Sequence, residues 1–64
     1  MNATDKAIRD NFPGPINAGI RKLIRDSINA GNGVPSLSNV ALTANGRAGL
    51  AAIKAAYDSE KVPA

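Results

Sequence analysis

Two breaks decide what this chain can fold into. Pro13-Gly14-Pro15 interrupts any regular element near the start, and Gly31 to Ser38, GNGVPSLS, interrupts it again in the middle. The residue before a proline is steered away from helical geometry, so a first element must stop at or before Phe12. Asn32-Gly33 is a strong turn signal, and Pro35 fits neither a sheet ladder nor a regular helix. Three stretches remain, and each is read by the period of its apolar residues.

In the first, Ile8 and Phe12 make one apolar edge, and Asp5–Arg9 and Lys6–Asp10 are acid–base pairs four apart. This spacing predicts a helix from Asp5 to Asn11 or Phe12, with Thr4 as its N-cap and Asp5 in the first turn, where a carboxylate suits the helix dipole. In the second, Pro15 is placed to open a helix that runs to about Ala30, and Gly31 can supply a left-handed C-terminal cap. Ile16, Ile20, Leu23, Ile24 and Ile28 give the strongest helical period in the chain. Leu23 lies mid-arc and is expected in the core. Arg21, Lys22, Arg25 and Asn29 gather opposite, as a solvated face or as a patch for an anionic partner.

The third stretch is the longest with one consistent reading. Thr43 can cap a helix from Ala44 to about Glu60, in which Leu50, Ile53 and Tyr57 recur at steps of three and four. Gly46, Gly49, Ala52 and Ala56 form a small-residue flank beside that stripe, of the kind that lets another backbone come close. Arg47, Lys54, Asp58 and Lys61 fall on another side. Leu37 to Leu42 reads as a short extended or irregular lead-in. The alternative is a helix with Asn45-Gly46 as the turn, which would make Leu37–Tyr57 a helix-turn-helix. Leu42-Thr43-x-x-Gly46-Arg47-x-x-Leu50 resembles the strand-to-helix junction after the wing in MarR-like winged-helix regulators. That likeness implies a strand, a Thr cap and a helix with glycine in its first turn; it is confined to the junction and carries no function across. Val62-Pro63-Ala64 reads as a short tail.

The expected fold is therefore all-α: a small three-helix arrangement, residues 1–64 forming one domain, with a short extended or irregular segment before the last helix. Such a chain has little to build a core from. Phe12 and Tyr57 are its only aromatics, and it has no Cys or His. A disulfide is thus excluded, and the usual ligands of a transition-metal staple are missing. Small domains in this position often rely on partners. The expected function is a structural or interaction protein that completes its core by self-association or by docking on a larger assembly; a minor virus-particle component is one form this would take. The expected interface is Gly46, Gly49, Leu50, Ala52, Ile53, Ala56 and Tyr57; the alternative is that the second helix of the same chain covers that flank.

Catalysis needs a base, nucleophile or electrophile set against one another, and no such constellation, phosphate loop or metal-ligand cluster is visible. No enzyme activity, catalytic residue, cofactor, metal or small-molecule substrate is expected. No apolar run reaches membrane-spanning length, and the N-terminus lacks a signal-peptide core, so no membrane partner is expected and the location read is cytoplasmic, or within an assembly formed there. The formal net charge is +3, a modest tilt toward anions. The alternative function is accordingly a small basic nucleic-acid-binding regulator, using Arg21, Lys22 and Arg25, or Arg47 and Lys54, or the helix-turn-helix reading above.

Overall fold

In the computed structural model, which describes residues 2–61, the chain forms three α-helices: α1 (Ala3–Asn11), α2 (Ala18–Asn29) and α3 (Ala44–Lys61). A single 3₁₀ turn, Pro15–Asn17, leads into α2. There is no strand among the described residues.

The first helix starts earlier than its sequence suggests. Asn2, not Thr4, is the N-cap: its side-chain oxygen accepts the Asp5 N–H at 2.8 Å, and its carbonyl accepts the Lys6 N–H at 3.1 Å. Thr4 sits inside the first turn and is buried. The Thr4 N–H and hydroxyl both donate to the Glu60 carboxylate, at 3.0 and 2.8 Å. Asn2 and Glu60 together take up the donors that the start of a helix leaves without an internal partner. Phe12 closes the helix, its N–H donating to the Ile8 carbonyl, and Pro13 prevents continuation.

Thr4 meets Glu60 at one end and Phe12 meets Gly49 at the other, so α1 runs antiparallel along α3. This is the main helix pair; α1 packs more lightly on α2, and the backbones of α2 and α3 do not approach each other. The core sits where the three meet. Ile8, Ile24 and Ile53 are fully buried and Phe12 nearly so, with Ala7, Ile20, Ile28, Val34, Leu37, Val40 and Leu50 packed around them.

The second helix ends as its glycine predicts. Gly31 has a φ of 86°, its N–H donates to the Ile28 carbonyl, and the Asn32 N–H donates to the Ser27 carbonyl. These two bonds are the Schellman arrangement, which glycine enters without a Cβ penalty. The Ser27 hydroxyl then ties the loop back by donating to the Gly33 carbonyl at 2.7 Å.

Residues 38–42 are turns, neither strand nor helix. The irregular lead-in to α3 is thus what forms. The first helix of a helix-turn-helix is absent there, as is the strand of the winged-helix junction. The predicted Thr cap is present: the Thr43 hydroxyl oxygen accepts the Gly46 N–H at 2.9 Å. The Arg47 guanidinium clips the same turn by donating to the Ala41 carbonyl at 2.8 Å. Gly46 is required here because a Cβ at that position would overlap the Val40 carbonyl oxygen.

Candidate interaction site

The arc of α2 is only partly covered. Ile24 is fully buried and Ile20 and Ile28 partly, but Leu23 is 56% exposed and Ile16, one turn before Ile20, is 94% exposed. The expectation that Leu23 is core is therefore wrong. The reason is the layout of the helices: α2 leans on α1, no helix covers its other flank, and an arc of five large aliphatics is wider than one neighbour can cover. Leu42, on the turn before α3, is also exposed, at 78%.

Beside this flank lies an open groove of about 820 Å³, formed between the end of α1, the start of α2 and the segment from Pro35 to Gly46. Phe12, Ile20, Leu23, Leu37 and Val40 give it an apolar part, and the polar part is made of Asn, Ser and Thr side chains such as Asn11, Asn17, Asn39 and Thr43. None of the side chains lining it is ionisable. An apolar recess with neutral hydrogen-bonding groups around it can take up apolar side chains and satisfy a partner's backbone or amide groups without desolvating a charge.

The predicted small-residue flank is placed differently. Gly46, Gly49 and Ile53 are buried within the chain itself. Gly46 faces the Val40 carbonyl, and a Cβ at Gly49 would lie 3.1 Å from the Phe12 ring and 3.3 Å from Asn11 Cβ. The close approach that these glycines allow is internal: α1 packs on Gly49 and the 38–42 turns on Gly46. Leu50, Ala56 and Tyr57 are half-buried and Ala52 is exposed, so only part of the expected interface remains open. Tyr57 also lies under Lys61, whose ammonium is 5.3 Å from the ring centre.

The five cations of the alternative reading all have partners within the chain. Lys22 pairs with Asp26 at 2.7 Å and Lys54 with Asp58 at 3.0 Å. The hydrogen bond to Asp26, and then its charge, hold Lys22 above its ordinary pKa. Arg47 is bonded to Ala41 as described. Arg21 donates to the carbonyls of Phe12 and Gly14, both at 2.6 Å, and Arg25 lies 3.6 Å from Asp5. Arg21 and Arg25 are half-buried against α1 and are not part of a solvated face. They share a depression with Arg9 of α1, whereas Lys22 does not line it, and Arg47 and Lys54 line a separate one. Arg9 was not singled out in the sequence, because its spacing from Asp5 reads as an ordinary pair on one helix.

Among the described residues no group of three or more acidic, His or Cys side chains is placed to hold a metal ion, and no helix is long and apolar enough to cross a membrane. Comparison with protein-family models, with curated proteins and with solved structures finds no significant match to this chain.

Proposed function

We propose that this protein is a small helical interaction module that associates with copies of itself through the groove face of α2, and that it acts by binding, with no catalytic role. The observation that carries the reading is Leu23, 56% exposed while lining a groove with no ionisable side chain, with Ile16 exposed one turn before Ile20. Large aliphatic side chains left beside an apolar recess favour a site that another surface closes. The choice of a second copy rests on charge and on shape. In a chain of net charge +3, many faces of two copies would meet with like-charge repulsion, whereas a groove without ionisable lining meets its own image without that cost. The same face also carries both protruding side chains and a recess, which is what a two-fold self-complementary contact requires. The proposed interface is therefore Ile16, Leu23 and the groove, since Gly46 and Gly49 of the small-residue flank of α3 are taken up inside the chain. Sedimentation or light scattering over a dilution series tests this. Mass should rise above that of one chain as concentration increases; a single-chain mass throughout would reject self-association.

A further inference from the structure

A second feature stands apart from the apolar groove. Arg9 from α1 and Arg21 and Arg25 from α2 line one depression of about 480 Å³, whose remaining walls are Pro13 and Gly14. No carboxylate lines it. We propose that this three-arginine depression is a binding site for a phosphate oxyanion.

Arg21 and Arg25 are held in different ways. Arg21 is fixed in place, because its Nη1 donates to both the Phe12 and Gly14 carbonyls at 2.6 Å. Carbonyls occupy donors without cancelling a guanidinium charge, so Arg21 is ordered and still cationic. Arg25 has one acidic neighbour, Asp5, but the 3.6 Å separation is beyond a hydrogen bond and both side chains are about two-fifths exposed. An exposed pair of this kind binds weakly and can give way to a better anion. Guanidinium forks match phosphate oxygens two at a time, and that geometry distinguishes arginine from lysine. Donors arrive from two helices, Arg9 from α1 and Arg21 and Arg25 from α2. A tetrahedral oxyanion presents oxygens in several directions and can meet them together, while a planar carboxylate meets one fork.

Free phosphate and the phosphodiester of a nucleic acid share this chemistry, and one titration separates them. The backbone amides and the arginine Nε–H groups of the whole protein are followed by NMR while inorganic phosphate is added, with sodium chloride at matched ionic strength as reference. The site predicts saturable shifts at Gly14 and at Arg9, Arg21 and Arg25 that chloride does not reproduce. Arg25→Gln should weaken the phosphate response by about tenfold, and Arg9→Gln likewise, given the strength of a charge-assisted bond. Lys54→Gln, on the separate depression, should leave it unchanged. A short single-stranded oligonucleotide that shifts the same signals at lower concentration identifies the phosphodiester as the source; one that leaves them untouched identifies the free anion. Shifts spread over lysines and arginines alike, shifts matched by chloride, or Arg25→Gln and Arg9→Gln variants that titrate like the parent would overturn the proposal.

Discussion

Glu60, near the end of the last helix, closes the start of the first. Its two carboxylate oxygens accept the Thr4 N–H at 3.0 Å and the Thr4 hydroxyl at 2.8 Å, across 56 positions of sequence. A negative group at a helix N-terminus is favoured by the local dipole as well as by the hydrogen bonds. The contact also fixes how far α1 can slide along α3, since Phe12 is held against Gly49 at the opposite end.

Stability should fall in acid through this contact. The Thr4 hydroxyl first, and then the Thr4 N–H, hold the Glu60 carboxyl below its ordinary value of 4.5, against an opposing contribution from burial and with a lesser downward one from the Ala3 N–H. A carboxyl depressed in the folded state contributes stability that is fully present above its unfolded value and is lost as the pH falls through the folded one. The loss is therefore expected below about 4.5. Thermal melts of the parent and of Glu60→Gln, compared at neutral pH and in acid, check this: the gap between the two proteins should narrow as the pH falls. Thr4→Val keeps the shape and removes the hydroxyl donor, and should lower Tm by roughly 4–8 °C at neutral pH.

The same substitution should have opposite signs at two glycines. Gly19 lies in α2 with nothing within 4 Å of an added Cβ, so Gly19→Ala should stabilise by about 0.5–1 kcal/mol through helix propensity alone. Gly46→Ala gains the same propensity but drives a methyl into the Val40 carbonyl, which is backbone and cannot rotate away. Overpacking of that kind costs about 1–3 kcal/mol or more, so the net effect should be clear destabilisation. Gly49→Ala, which meets a ring edge that can shift by tenths of an ångström, should fall between them. Urea denaturation of the three variants gives the order.

Neighbouring residues on α2 should differ sharply. Ile24 is fully buried, and Ile24→Ala should cost about 2–5 kcal/mol. Leu23 is 56% exposed, and Leu23→Ala should cost less than about 1 kcal/mol in dilute solution. Equal losses at the two positions would mean that α2 is rotated from the orientation described.

The helices were legible because their signals are local. Pro13, Gly31 and Thr43 each act within one turn of chain, and the helices begin or end next to all three. Asn2 and Thr4 are both capping types two residues apart, and local sequence does not choose between them; the choice is made by Glu60, far away in sequence. The rotation of α2 was not legible for a related reason. Its apolar arc is broad enough to allow several orientations, and the one adopted depends on α2 and α3 staying apart. Gly46 and Gly49 mark a place where a backbone can come close, but the sequence does not say which backbone approaches. Here it is the chain's own 38–42 turns and α1. The Arg9–Arg21–Arg25 grouping likewise needed two helices to be placed side by side.

Mass in solution for the parent and for Leu23→Asp, measured side by side from low micromolar to millimolar concentration, tests the proposed association most directly. Leu23 is exposed enough to accept a charge without unfolding the monomer, which circular dichroism would verify. The parent should move from one-chain to two-chain mass as concentration rises. Leu23→Asp should stay at one-chain mass, because two-fold pairing sets the new carboxylate in an apolar contact in both partners at once. A parent that remains at one-chain mass, or a folded Leu23→Asp variant that associates as the parent does, would contradict it.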